Sequence, residues 1–468
     1  DYTEVLSGEQ GWAGRNDGAV SAGPLRRISP ISMIPEESRC HPNRAAGQTP
    51  IRTKKPVAGH AGWAHGIHES TIDRSAFIRA MNILFIHHVA DMYGSSRCLL
   101  RLAARLVADG HSVASTLESD GPLREALESA GVTVLIVPDM PALHRKRLTR
   151  PAGWVALLRS VVSARERIGR IVAEFKPDLI HSNSAALLPV AGAVARAAGI
   201  PHVQHVRESF LEFGFLWVVY RAMLVHYATR VISISDFVAG MFTPGQRAAK
   251  VRTIYDGLPA HDFEGSRAED VAAFMSRYQL QHPLIALVGR IKLKRKGQDL
   301  LVKAAARIAT KHPGARYVLV GSPFPGNEDH LAALQEMIRT LGLEERVVLT
   351  GHLSDPLLAL AACDISVMAS STPEPLGNVT IESMALGKPV IGTDCGATRE
   401  LVRNGVNGRL VPADDPEAMA EALDLLLSNP AMREAMGDCG RADYLARFQF
   451  EPHYQAIVEL YRESIADQ

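Results

Sequence analysis

The spacing of hydrophobic positions changes character at residue 81. Before it, the chain is rich in Gly, Pro, Ser, Arg and His and carries no sustained apolar period. Met81 then opens MNILFIHHV, a continuous apolar run of the kind that forms a strand buried on both faces. Further runs predict strands at Asn82–His88, Ser112–Leu117, Val132–Val137, Asp178–Ser182, Pro201–Val206, Val231–Ser235 and Val251–Tyr255. Helical spacing lies between them. In Ser95–Asp109 the apolar residues fall at Leu99, Leu102, Ala103, Leu106 and Val107, and Leu123–Ala130, a long pattern ending near Glu174, and Ala185–Ala198 also read as helices.

Asp256-Gly257-Leu258-Pro259 closes this unit, and polar residues to about Gln281 read as a linker. A second alternation follows, with strands Leu284–Gly289, Arg316–Gly321, Val347–Leu349, Ile365–Met368 and Arg409–Val411. Its helices are expected at Gly297–Thr310, Asp329–Leu341, Pro356–Ala362 and from Pro416 onward. Alternation of this kind predicts parallel sheets covered on both faces, so the expected architecture is two doubly wound α/β domains in series. Ligands of such sheets bind beyond the carboxyl ends of the strands, which puts the site in a cleft between the domains. Residues 1–80 are expected to form a disordered or non-native extension, with Met81 the working start of the chain. In that segment His60, His65 and His68 lack other ligands and read as solvated rather than as a metal site.

Composition narrows the function classes. The 468 residues are 47% hydrophobic and 22% charged, which fits a globular protein, and the net charge of +1 gives no case for nucleic acid as the main partner. Five scattered cysteines without a CxxC pair fit reduced thiols in a cytoplasmic protein better than a zinc site or a disulfide framework. No apolar run reaches the roughly 20 residues needed to span a bilayer, and the polar residues around Asp1 do not read as a secretory signal.

The candidate chemistry sits in three turns. After the first strand, HHVADMYGSSRCLL lacks the GxGxxG of a dinucleotide fingerprint. Gly94, Ser95 and Ser96 still make a small polar turn into a helix, which reads equally as an anion site or as a plain N-cap. After Gly289, five of the seven residues from Arg290 to Lys296 are basic. Their place at a strand's carboxyl end points to a diphosphate clamp of Arg290 and Lys296, with Lys292, Lys294 and Arg295 solvated. The third turn belongs to SSTPEPLGNVTIESMALGKPVIGTDCGATREL, from Ser370 to Leu401. Glu374 lies in a loop just after a strand, and Glu382 about one turn into a helix that begins near Asn378. Carboxylates accept hydrogen bonds from diols, and the free N–H groups from Gly377 to Thr380 can hold a phosphate between them. Diol, phosphate, diol is the order of groups in a nucleotide sugar. A surface helix with exposed glutamates is the bland alternative.

VGRIKLKRKGQDLLVKAAA together with EPLGNVTIESMALGKPVIGTDCGATRELV resembles the retaining glycosyltransferases of family 4, which have the GT-B fold. The resemblance covers most of Met81 to about Arg462. It implies two Rossmann-like domains facing a cleft: an acceptor domain over 81–262, a nucleotide-sugar donor domain over 263–450, and a helix over 451–468 that returns to the first domain. It implies that Glu374 contacts the donor sugar and Glu382 the donor ribose. Arg290 and Lys296 would bind the diphosphate, and Gly289 with the Gly377-Asn378-Val379-Thr380 backbone would line the donor. It further implies transfer with retention by a front-face route, in which the leaving phosphate helps deprotonate the acceptor. No metal or other cofactor is implied.

Departures from the family pattern concentrate in the first domain. The family's double-glycine turn is Gly94-Ser95 here, and a later Gly-Gly is Gly396-Ala397, with Glu400 in the matching place. Many members carry a His near the end of the strand PHVQHVRES; Arg207 falls there, His205 lies two earlier, and both stand as candidates for a part in the reaction, with Glu208 a weaker one. The expected function is transfer of a sugar from a nucleotide diphosphate sugar to a hydroxyl acceptor in cell-surface polysaccharide or glycoconjugate synthesis. The rival readings are a non-catalytic partner subunit and a UDP-sugar 2-epimerase of the same fold. The basic loop Arg145–Arg150 and the segment Phe210–Tyr220 admit two readings: contact with a lipid-linked acceptor at the inner membrane surface, or a solvated loop and a buried helix.

Overall fold

The structure, a computed structural model, describes residues 80–142, 151–263, 267–324 and 326–468, apart from the side chains of 151, 152 and 154. The expectations for the extension and for the basic loop Arg145–Arg150 lie outside the described residues. Met81–Gln468 belong to one compact unit, and it carries two parallel sheets.

The first sheet is built from β1 (Asn82–Ile86), β2 (Ser112–Leu117), β3 (Thr133–Ile136), β4 (Leu179–Ser182), β5 (His202–Val206), β6 (Arg230–Ser233) and β7 (Val251–Thr253). Their order is β3-β2-β1-β4-β5-β6-β7. The second contains β8 (Leu284–Val288), β9 (Arg316–Val320), β10 (Val347–Gly351), β11 (Ile365–Met368), β12 (Val390–Thr393) and β13 (Gly408–Val411), ordered β10-β9-β8-β11-β12-β13. Each sheet therefore reverses direction next to its first strand: between β1 and β4, where Ile83 faces Leu179, and between β8 and β11, where Ile285 faces Ile365. Loops on either side of such a reversal diverge and leave a crevice at the carboxyl ends of the strands. This is the GT-B architecture.

Short apolar strands pack as a parallel sheet requires, because helices cover both faces. Phe85, Leu99, Leu102 and Leu106 are buried together on one face of the first sheet, and Ile285, Leu301, Leu319 and Ile365 form the corresponding layer of the second. The last helix, Phe450–Ala466, buries Tyr454, Ile457, Val458 and Tyr461 in the first sheet's core. The chain reaches it by crossing its own first linker, where Leu258 N–H donates to Phe448 O at 2.9 Å and Phe450 N–H to Leu258 O at 3.1 Å.

Three elements differ from the expectation. The helix after β4 begins at Val190, not Ala185; Pro189 disfavours helix at the residue before it, and Tyr220 Oη donates to Ala185 O and Leu187 O to hold the preceding loop. The linker contains a helix, Ala268–Arg277, anchored by buried Phe274. Phe215–Tyr227 is helical, yet only Trp217, Tyr220 and Leu224 on it are buried, while its outer side is exposed.

Candidate functional site

The basic turn after β8 is held by its own helix. Gln298 Nε2 donates to Arg290 O at 2.8 Å, and Asp299 Oδ1 accepts from Lys294 N–H at 2.8 Å. Gly297 stands at the helix start with φ +70°, and a Cβ there would come within 1.8 Å of Ala369 O. Only glycine allows this approach, and the approach sets the turn against the segment that follows β11. Lys296 Nζ thereby lies 2.8 Å from Glu374 Oε1. Lys292 corrects one expectation: it is 7% exposed, not solvated, whereas Lys294 is exposed and Arg295 partly so.

Glu374 is buried and also accepts from Ser370 Oγ at 2.9 Å. Burial alone would raise its carboxyl pKa. The charges of Lys296 and Arg295 and the two hydrogen bonds outweigh burial and hold it below the ordinary value. Its backbone is pressed by Gly396, whose φ is +57° and where a Cβ would lie 2.6 Å from both Glu374 N and Glu374 O. This contact requires glycine at 396. The helix Asn378–Ala385 starts at Gly377, with φ +90° and no side-chain cap; Thr380 N–H donates to Gly377 O at 2.9 Å, and the N–H groups before it remain open to a ligand. Thr380 Oγ1 is buried at the same turn without a hydrogen-bond partner.

A cavity of about 190 Å³ lies between the two sheets, and Lys296 and Glu374 stand outside its lining. Gly289, Arg290, Asn378, Val379 and Glu382 line it from one side and Tyr93, Gly94, Arg97 and Arg101 from the other. The Arg290 guanidinium lies 3.6 Å over the Tyr93 ring and 3.6 Å from Asp91 Oδ2, so it bridges the cleft. Among the described residues no hydrogen bond or ion pair engages the Glu382 carboxylate. Burial raises its pKa, with Arg101 and Arg97 opposing. The two glutamates of one motif are thus held in opposite ways. Sequence reasoning missed Arg97 and Arg101, and also Ser322 and His352, which line the cavity just beyond β9 and β10. Their position after the carboxyl ends of strands was the available signal for the last two.

The first-domain candidates divide. Gly94 lines the cavity, and Ser95 lies beside it in the first turn of the helix Gly94–Ala108. His205 is fully buried, 5.5 Å from the His181 ring on the side of the last helix, and neither of its ring nitrogens has a hydrogen-bond partner. Burial, then the charge of Arg207, pushes its pKa well down. Arg207 is buried too, and its guanidinium donates to both oxygens of Asp256 at 2.9 Å. Asp256 also accepts from Cys98 Sγ at 3.1 Å and from Asn378 Nδ2 at 3.2 Å. Burial and the neighbouring Asp256 push the Cys98 thiol up to about 12, which keeps it protonated as a donor. Neither His205 nor Arg207 lines the cavity. Arg207 instead reaches the helix Asn378–Ala385 through Asp256. Glu208 accepts from Ser184 Oγ at 2.5 Å and Ala185 N–H at 3.1 Å, fastening the loop after β4. Two more ties flank the Glu374 loop: Ser235 Oγ donates to Pro375 O at 2.5 Å, and the Glu400 carboxylate accepts from Phe237 N–H at 2.5 Å and Tyr255 Oη at 2.7 Å.

Two family models match the chain: glycosyl transferase 4-like domain over residues 93–257 and glycosyl transferases group 1 over residues 274–443. Together they span more than half of it. The chain belongs to the GT-B glycosyltransferases of family 4 type, and it is an enzyme.

Arg290, Lys296, Glu374 and Glu382 all fall in the group 1 stretch of this glycosyltransferase, and Gly94, Ser95, His205 and Arg207 in the 4-like stretch. The D-inositol 3-phosphate glycosyltransferase of Mycobacterium marinum is 26% identical over 89% of this chain and 93% of its own length. That of Frankia alni is 29% identical over 79% and 93%. Among solved structures, Anabaena HepE in complex with UDP-glucose is 26% identical, with a TM-score of 0.70 over 82% of this chain and 100% of its own. Among the described residues the glycosyltransferase gathers no group of three or more His, Cys, Asp and Glu side chains able to hold a metal ion, and none of its helices is long and apolar enough to cross a membrane.

Proposed function

We propose that this glycosyltransferase moves a sugar from a nucleotide diphosphate sugar, with uridine as the nucleoside, to a hydroxyl acceptor with retention at the anomeric carbon. The observation that carries the reading is the Lys296–Glu374 pair at 2.8 Å, beside an uncapped helix start whose next turn presents Glu382 to the cavity that Arg290 also lines. In this reading Glu382 accepts from the ribose diol and the base lies toward Ser322 and His352. Arg290, Lys296 and the N–H groups of Gly377, Asn378 and Val379 hold the diphosphate, and Glu374 accepts from a sugar hydroxyl. The bond from the anomeric carbon to the phosphate oxygen breaks, the bond to the acceptor oxygen forms on the same face, and the acceptor proton passes to the leaving phosphate. The protein positions the reactants and stabilises the leaving charge, and Lys296 and Arg290 supply that stabilisation without a metal. HepE, with UDP-glucose in its own complex, supports the choice of uridine. Synthesis of cell-surface glycans in the cytoplasm is the setting we assign.

The test is a thermal-shift panel of UDP, GDP and ADP on the full chain, followed by transfer from the sugar donor of the nucleotide that binds. At about 100 times its Kd, a nucleotide binding only the folded state adds about 2.7 kcal/mol of stability. UDP is expected to give the largest shift, and NMR of the product to show the donor's anomeric configuration. No shift with any of the three would overturn the reading, and binding without hydrolysis or transfer would reassign the protein as a non-catalytic subunit.

A further inference from the structure

A contiguous apolar face lies outside the cleft. Helix Phe215–Tyr227 is apolar nearly all round, which normally marks a buried helix, yet Phe215 is 78% exposed and Leu216 55%. Beside it runs helix Pro151–Phe175, where Val155, Leu158 and Val162 recur at helical spacing, with Leu158 64% and Val162 67% exposed. Between the two helices is a groove of about 330 Å³. Its floor is Phe210 stacked on Trp217, with ring centres 4.9 Å apart. Tyr220 Oη and Trp217 Nε1 both turn inward to backbone carbonyls, so the polar tips of these rings are spent on the loops beneath and hydrocarbon is left outward. A single exposed Leu needs no explanation, but a contiguous patch of this kind marks an interaction surface.

Charge and place choose the partner. Helix Pro151–Phe175 carries exposed Arg159, Arg165, Arg167 and Arg170 against Glu166 and Glu174, and Arg165 continues the apolar stripe one turn further on. Helix Phe215–Tyr227 adds no outward cation, because its Arg221 donates to Met241 O at 2.7 Å, and Glu212 lies just before it. The excess is basic. A second copy docked on this face about a two-fold axis would set the same arginines against each other, whereas an anionic bilayer complements them. Two walls of the groove, Leu188 and Phe210, come from the loops after β4 and β5. These are the carboxyl ends of the first sheet, the edge on which Gly94 meets the transfer cavity. Thirteen helical residues span about 20 Å, short of a hydrocarbon core of about 30 Å, so this helix can lie in an interface and not cross it.

We propose that this face docks the enzyme on an anionic membrane surface, with Phe215, Leu216, Leu158 and Val162 among the acyl chains and the arginines at the headgroups, so that the acceptor side of the cleft opens at the bilayer. The docking does not depend on which nucleotide the donor carries. The test is flotation of the full chain with vesicles of phosphatidylcholine alone and of phosphatidylcholine with phosphatidylglycerol. Binding is expected only to the anionic vesicles, weaker at high salt, and reduced by at least about tenfold in the double variant Phe215→Ser, Leu216→Ser, since each buried CH₂ adds to partitioning. The variant's UDP-induced thermal shift is expected to match the parent's, which reports an intact fold and separates failure here from failure of the donor reading. Absence of binding to anionic vesicles, or binding unchanged in the variant, overturns the proposal. A dimer by light scattering that the variant converts to monomer also overturns it, by assigning the face to a second copy.

Discussion

Both sheets reverse strand order beside their first strand, and the two crevices so formed are filled differently. Between β1 and β4 the buried polar groups bond to one another: His87 Nε2 meets Ser96 Oγ at 3.2 Å, and Asn183 Nδ2 reaches His87 Nδ1 at 3.4 Å and Ser95 O at 3.2 Å. Burial, then His88 and Arg207, keeps His87 neutral. Between β8 and β11 the corresponding space holds Arg290, Lys296 and Glu374 around an uncapped helix start. The same topology thus yields one crevice closed by hydrogen bonds around a neutral histidine and one that keeps charge within reach of a ligand. Topology locates a crevice; the side chains at the strand ends decide whether it is a site.

Four substitutions would break or sharpen that contrast. The largest effect is expected on folding, from Asp256→Ala. It leaves the Arg207 guanidinium buried without its counter-charge, a loss of about 3–5 kcal/mol, to be read as a fall in the urea midpoint. A midpoint within error of the parent's would mean that the network does not join the domains as described.

On the charged side, Lys296→Ala is expected to lower kcat by about 100- to 1000-fold, the scale of one lost donor to a developing negative charge. Steady-state assay against the donor checks it, and a near-normal rate would remove Lys296 from the clamp.

Glu382→Gln separates binding from stability. It should weaken UDP binding by about tenfold or more, the scale of one charge-assisted hydrogen bond, and calorimetry measures it. The parent's affinity should fall as acid protonates Glu382, and the variant's should not. The stability sign is opposite. A carboxyl whose folded pKa is raised contributes stability below its unfolded pKa and loses it as pH rises through the folded value. At neutral pH the variant should therefore melt no lower than the parent. Glu374, with its pKa held down, is the reverse case: its contribution is present at neutral pH and lost as pH falls through the folded value.

The smallest effect is expected from His205→Phe, which removes two unpartnered ring nitrogens from the core. It should leave kcat within about threefold, less than 1 kcal/mol in the barrier. Loss of turnover with an unchanged melting temperature would restore His205 to the reaction.

The doubly wound class was legible because short apolar runs alternate with helical spacing, and both signals are local. The basic turn and the spacing of Glu374 and Glu382 were legible for the same reason: each lies within one strand-to-helix connection. Lys292 was misplaced because a basic run carries no record of which member the fold covers. The helix Ala268–Arg277 was read as linker because its polar residues hid one anchoring residue, Phe274. Phe215–Tyr227 was ambiguous, since a segment apolar on every side has no period to say which face is inside.

The sequence by itself determined the parallel α/β class and the turns after β8 and β11, because backbone propensity, strand ends and helix starts are set by neighbours in the chain. Tertiary structure decided what faces those turns from across the cleft. Arg97 and Tyr93 meet Arg290 and Glu382 from nearly 200 or more positions away in the chain, and Arg207 reaches Asn378 only through Asp256. Burial and Coulomb attraction act through space. Whether a charged residue becomes a ligand group, a buried strut or a solvated side chain is therefore settled only when distant segments are brought together.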